Sequence, residues 1–284
     1  MAKLLSGTTT VIGGSSPVTI GDYVDQILAS GFPGITNLNP RARGLQLDGY
    51  IDRVVDKDFP ELGHRVRRPS TLKAWLSAYA AATATTAAYN ALLDAASAGD
   101  ADKPAKTTTI AYRDILTSLW LLDPVPGWIP SNNRLTRLAQ SPKHHLADPA
   151  LAARLLRVNA DQLLGNARPI QYRGDGPLLG ALFESLVTLS ARVYAQACDA
   201  AVHHLRLQNG THEIDLVIEG LDGRLLAIEI KLSSNVEDRD VRHLKWFAEQ
   251  LGDAVADLVV VTTGREAYRR TDGIAVIPAA LLGP

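Results

Sequence analysis

Two stretches late in the chain alternate apolar and polar side chains with a period of two, the pattern of half-buried strands. Across 211–219, Ile214, Leu216 and Ile218 share one face, with Glu213, Asp215 and Glu219 on the other. Across 225–232, Leu226, Ile228, Ile230 and Leu232 share one face, with Glu229 and Lys231 on the other. Both strands are expected to put even-numbered residues in the core. A long apolar helix over 178–196 precedes them, burying Leu179, Leu182, Phe183, Leu186, Val187 and Leu189 and placing Glu184 one turn from Thr188 on its less apolar side. A helix over 236–251 follows, with Val241, Leu244 and Phe247 inward. Residues 256–262 are a continuous apolar run, fit for a buried parallel strand, and 273–278 supply a last one. The order of elements is α-β-β-β-α-β.

The earlier chain has a helical period. Thr19 or Asp22 caps a short helix, and a second is expected over 42–56, with Leu45, Leu47, Ile51, Val54 and Val55 apolar and Pro60 beyond its end. Leu72, Trp75, Leu76 and Tyr79 recur at three and four residues, and further helices begin near Thr85 and Thr107. Three short helices suggest a helix-turn-helix-like part, although the 96–106 loop is longer than the tight turn of that motif. Thr108 and Arg113 are candidate phosphate contacts at a helix N-terminus, with Thr as a plain helix cap the simpler reading. Residues 120–128 read as a wing or short hairpin with buried aromatics, and Asp148-Pro149 opens another helix. Adjacent His144 and His145 point apart and have no third ligand nearby, so their role is read as structural or superficial rather than metal-binding. The expected architecture is α+β or α/β. It comprises a helical collar over 1–68, a helical, winged-helix-like domain over 69–165, and a mixed-sheet αβββαβ domain over 166–284.

Composition narrows the function. With 284 residues, 46% hydrophobic, 21% charged and a net charge of -1, the chain is an ordinary globular protein, and any nucleic-acid contact must come from a local patch. The single cysteine, Cys198, excludes an internal disulfide and a cysteine-based zinc site, which fits a reducing cytoplasm. No uninterrupted apolar run approaches the roughly 18 residues of a membrane helix, and the start has no signal-peptide pattern. A cytoplasmic protein without a membrane partner is expected.

The register of the two alternating strands carries the candidate chemistry. A two-residue turn at Asp222-Gly223 would mix the faces, because opposed residues share a side of the sheet. A three-residue loop, Leu221-Asp222-Gly223 with Gly223 left-handed, pairs Gly220 with Arg224 and sets Asp215 opposite Glu229. Lys231 then lies two residues along on the same face. Neighbouring carboxylates repel unless a cation lies between them, and a hard divalent ion such as Mg²⁺ or Mn²⁺ answers this with oxygen ligands from Asp215, Glu229 and the Ile230 carbonyl. Phosphodiester hydrolysis is the natural reaction class, with Lys231 stabilising charge on the attacked phosphate. A solvated hairpin face with a Glu-Lys pair is the plain alternative. Arg239, Arg242 and Lys245 recur every three residues on the following helix and are candidates to track a DNA backbone.

Asp215, thirteen intervening residues and Glu229-Ile230-Lys231, preceded by a helical acid and followed by a helix, resemble the PD-(D/E)XK nuclease superfamily. That resemblance implies a place for Glu184 in the metal shell and a restriction-endonuclease-like fold. The segments 49–58, 142–151, 182–187, 213–216 and 228–231 together resemble the C-terminal portion of an ATPase-associated family, domain of unknown function 4143. Members of that family carry an AAA+ ATPase ahead of a helix-turn-helix-like part and a nuclease-like part. This chain has no Gly-x-x-x-x-Gly-Lys-Ser/Thr, so it is not expected to hydrolyse ATP. The resemblance implies a Mg²⁺-dependent nuclease acting on DNA; the alternatives are an inactive module that binds nucleic acid or a partner ATPase, and a toxin or regulatory protein.

Overall fold

The computed structural model describes residues 1–7, 11–63, 68–97, 106–130, 140–165, 176–207 and 210–284. It is a mixed α+β protein, with helices concentrated in the first part of the chain and strands in the last. Two compact units interleave along the sequence. One comprises 1–23, 125–142 and 186–284, and the other 24–124 and 143–185.

The first unit is built on a seven-stranded mixed sheet: β1 (Gly14–Ser15), β2 (Ala201–Arg206), β3 (Glu213–Glu219), β4 (Leu225–Lys231), β5 (Val255–Thr262), β6 (Glu266–Arg269) and β7 (Ala275–Pro278). The spatial order is β1-β6-β7-β5-β4-β3-β2. β4, β5 and β7 run parallel, while β2, β3 and β4 form an antiparallel meander. The αβββαβ order expected from the sequence is present, from the Gly176–Gln196 helix through β2, β3, β4 and the Arg242–Leu251 helix to β5. That last helix is shorter than the 236–251 span expected, because Asp238–Val241 forms a tighter 3-10 turn ahead of it.

The even-numbered core rule fails in two places, each for a physical reason. β4 lies between β3 and β5, so Leu225 through Ile230 are all buried and Leu225 and Ala227 join a core with Val241, Leu244 and Phe247. In β3, His203 pairs with Val217 but Leu205 pairs with Ile214, so β3 carries one extra residue at Asp215–Leu216. This bulge turns Ile214 onto the same core as Val217. Each large apolar side chain buried here contributes roughly 1.5–3 kcal/mol.

In the second unit the expected helices are present at Pro69–Ala81, Tyr89–Ala96 and Lys106–Ser118, with Leu72, Trp75, Leu76 and Tyr79 wholly buried. The connecting residues 98–105 lie outside the described residues. Pro60 does not end the second helix as expected. Pro40–Arg53 passes through a π-turn at Val54–Asp58 into Phe59–Glu61, and the wider turn brings Pro60 to the start of a new helical turn, where its missing N–H costs nothing. Leu45, assigned to the apolar face, is 63% exposed.

The expected wing is not a hairpin. Leu122 pairs antiparallel with Leu146, whereas Gly127, beyond Pro124 and Pro126, bridges to His204. Of its two aromatics Trp128 is buried and Trp120 is 82% exposed. Asp148 caps the Pro149–Leu155 helix as the sequence implies, accepting the Ala150 N–H, and its other oxygen accepts from Ser30 Oγ and Gly31 N–H.

The Gly176–Gln196 helix is long and apolar enough to cross a membrane by length and composition alone. Leu182, Phe183, Val187, Ala191 and Ala195 are buried in the fold, and Ser185 and Thr188 are buried among them, the pattern of a core helix. Leu186 and Leu189, expected in the core, are half-buried.

Candidate functional site

The β3–β4 hairpin has the register that the faces required. Leu216 pairs with Ile228 and Glu219 with Leu225, and Gly220 donates its N–H to Arg224 O across a three-residue loop. Gly223 has φ +82°, the left-handed conformation that closes such a loop and that favours glycine. The paired register ends at Leu216 and Ile228, so the direct opposition of Asp215 and Glu229 expected from the sequence is not part of the ladder. There the bulge interrupts the backbone ladder, and the Asp215 carboxylate accepts the Ile230 N–H through Oδ2 at 2.9 Å.

Lys231 donates to Glu229 Oε1 at 2.8 Å. The carboxylate side chain is 9% exposed and that of the lysine 32%, so the pair opens to solvent on the ammonium side. Burial pulls the Lys231 ammonium down, but the charge and hydrogen bond of Glu229, with the charges of Asp215 and Asp240, outweigh it and leave its pKa raised. Lys231 therefore stays cationic at neutral pH. The pair sits at the carboxyl end of β4 in the parallel part of the sheet, where Lys231 lies beside Thr262 of β5. Carboxyl ends of parallel strands are where open α/β sheets take ligands. The rim is tied together by Thr263 Oγ1, which donates to Leu232 O at 2.6 Å.

Glu184 lies in the second unit and accepts from Lys143 Nζ at 2.8 Å; the lysine side chain is 1% exposed. His144 is equally enclosed, donating from Nε2 to Ala87 O at 2.7 Å between the rings of Tyr79 and Tyr89. Burial lowers its pKa, partly offset by that hydrogen bond, which keeps it neutral. Lys143, His144 and His145 are all buried, so of the two roles left open for the histidines the structural one holds.

The expected basic stripe spans two elements rather than one helix, with Arg239 and Arg242 exposed and Lys245 half-buried. Arg239 stands in the 3-10 turn and pairs with Glu237 at 2.9 Å, while Lys245 pairs with Asp272 at 2.8 Å. Asp272 is held well below the usual carboxylate range by hydrogen bonding to Arg270, with Lys245 and the Ile274 N–H adding to it against partial burial. In the second unit Thr108 lies in the first turn of its helix, and Arg113 bonds Asp114 at 2.9 Å with its guanidinium 5.3 Å from the Tyr89 ring centroid. These short-range acids were visible in the sequence, but periodicity alone does not reveal which cations they engage.

Sequence reasoning missed a histidine pair near this hairpin. His212 stacks on Trp246 at 3.9 Å between centroids, and its Nδ1 lies 3.3 Å from His243 Nδ1. Arg242 donates to His243 Nε2 at 3.0 Å, which makes that nitrogen an acceptor and leaves the His243 proton on Nδ1, facing His212. His243 is pushed down by burial and by the Arg242, His212 and Lys231 charges, against Glu213. The signal available was His212 at the entry of β3, three residues from Asp215. Among the described residues no group of three or more His, Cys, Asp or Glu is arranged to hold a metal ion.

The fold and site thus define an α+β protein whose mixed sheet ends β4 in a Lys231–Glu229 pair, with the Asp215 carboxylate on the Ile230 N–H. Residues 179–282 match the family "Domain of unknown function (DUF4143)", and residues 20–162, half of the chain, match "Domain of unknown function (DUF8612)". The chain belongs to the DUF8612 family and carries a DUF4143 region after it. The 49–58 and 142–151 segments, assigned to the DUF4143 resemblance from sequence, fall in the DUF8612 region. Among curated proteins the chain is 27% identical over 233 residues to the uncharacterized proteins Rv2008c of Mycobacterium tuberculosis and Mb2031c of Mycobacterium bovis. The alignment covers 82% of this chain and 47% of each relative, so the chain spans about half their length. No solved structure matches.

Proposed function

We propose that the chain is a divalent-metal-dependent nuclease-like protein, hydrolysing DNA phosphodiesters at Asp215, Glu229 and Lys231. The observations that support it most are at the end of β4, where Asp215 accepts the Ile230 N–H at 2.9 Å and Lys231 donates to Glu229 at 2.8 Å. The donor set fits a hard divalent ion: oxygens of Asp215 and Glu229, with the Ile230 carbonyl next to Glu229 on the chain. Bound there, Mg²⁺ or Mn²⁺ supplies Lewis acidity toward water and phosphate.

The residues themselves do the remaining work. Asp215 is aimed by the Ile230 N–H, and Glu229 is held by Lys231. The Lys231 ammonium offers a fixed positive charge to a phosphate oxygen as negative charge grows on it. The Lys143–Glu184 pair leaves the site's carboxylates as Asp215 and Glu229 in this reading.

A second reading is a non-catalytic binding module in which the carboxylates are structural, favoured by the Glu229 side chain being 9% exposed and paired with Lys231. Plasmid and linear DNA incubated with the full chain, with and without Mg²⁺ or Mn²⁺, separate the two. Metal-dependent cleavage lost in Asp215→Ala supports the nuclease. A salt-sensitive DNA shift without cleavage, unchanged in Asp215→Ala, supports the module.

A further inference from the structure

The second unit contains a charged cavity of about 660 Å³ lined by Asp48, Asp52, Lys73, Ser77, Arg154 and Arg157, with Ile51, Leu155 and Val158 as its apolar wall. Its size falls in the range of small-molecule sites, roughly 300–1,000 Å³. Two of its cations are held in place by its acids. Arg154 engages both oxygens of Asp48, and Lys73 donates to Asp52 Oδ1 at 2.6 Å. Arg157 is different: it makes no side-chain hydrogen bond or ion pair among the described residues.

Its backbone is also unusual. The Pro149–Leu155 helix ends with Arg157 N–H donating to Arg154 O at 3.1 Å and Val158 N–H to Ala153 O at 3.0 Å. That bond pair is the helix-end motif whose left-handed position belongs to glycine, yet Arg157 occupies it at φ +56°. An arginine there carries a backbone cost that a glycine would not. A guanidinium fork with no hydrogen-bonded partner among the described residues, facing a cavity whose nearest acid, Asp48, is already bonded to Arg154, is suited to a phosphate.

We infer that this cavity binds a mononucleotide-sized phosphate ester, with Arg157 as its phosphate contact. The ring system lies against Ile51, Leu155 and Val158, and the carboxylates of Asp48 and Asp52 accept sugar hydroxyls. This site is independent of the Asp215 site in residues and in chemistry.

The test is calorimetric titration of the full chain with ADP, adenosine and inorganic phosphate, without divalent metal, alongside thermal melts. Wild type is expected to bind ADP saturably, phosphate more weakly and adenosine not measurably. Arg157→Gly is expected to weaken ADP by about tenfold or more. Its Tm should be unchanged or higher, because glycine relieves the backbone. Arg157→Lys keeps charge and strain and should fall between. Several results would overturn the inference: no saturable ADP binding, equal ADP affinity in wild type and Arg157→Gly, a lowered Tm in that variant, or adenosine or phosphate binding as tightly as ADP.

Discussion

Two lysine–glutamate pairs of equal length, 2.8 Å, are built into this protein, and they differ in what surrounds them. Lys143–Glu184 is closed, with a lysine side chain 1% exposed and a ring-lined histidine beside it in the chain. Lys231–Glu229 is open on its cationic side, 32% exposed, and has a second carboxylate, Asp215, within electrostatic reach. An identical contact is thus structural in one unit and accessible in the other. What separates them is solvent access and a third charge, neither of which a pair distance records.

Removing one partner of the closed pair gives the largest expected effect. Lys143→Ala leaves Glu184 without its ammonium in a buried setting and is expected to cost about 3–5 kcal/mol, measured by urea unfolding. Replacing both members with apolar residues should recover much of it. The open pair is expected to respond in the opposite sense. Lys231→Met should lower metal-dependent DNA cleavage by about 10²- to 10³-fold while costing less stability than Lys143→Ala. Equal stability losses at the two lysines would erase the distinction.

A smaller effect tests the hairpin that aligns the open site. Gly223→Ala adds a Cβ into open space, so only the left-handed backbone resists it, and the expected cost is about 1 kcal/mol by urea midpoint. The smallest effect is a pH dependence in the closed region. His144 is held neutral with a lowered pKa, so its contribution is complete above the unfolded value of about 6.5 and is lost as pH falls below it. Melts from pH 7.5 to 5 should show that loss in wild type, flattened in His144→Asn.

How legible these regions were follows from the range of the forces involved. The β3–β4 register could be read because a one-residue slip turns every side chain over, so Leu216, Ile218, Leu226, Ile228 and the turn glycine constrain one another locally. The parallel β5 was legible from its unbroken apolar run. The bulge at Asp215–Leu216 was not, because it depends on β2, whose partner residues carry no matching pattern. Lys143 and Glu184 are 41 residues apart, and nothing local announces that they meet. The exposed Trp120 misled for the same reason, since an aromatic's burial is decided by distant partners. Arg157 is a local anomaly visible only once the helix end is seen to place it where glycine belongs.

The central claim is that Asp215 and Glu229 share one cation position. Titration calorimetry with Mn²⁺ tests it most directly, on wild type, Asp215→Asn and Glu229→Gln, each shown by thermal melt to be folded. Saturable binding in wild type that is lost in both variants is the predicted result. No binding in wild type, or binding retained in Asp215→Asn, would contradict it.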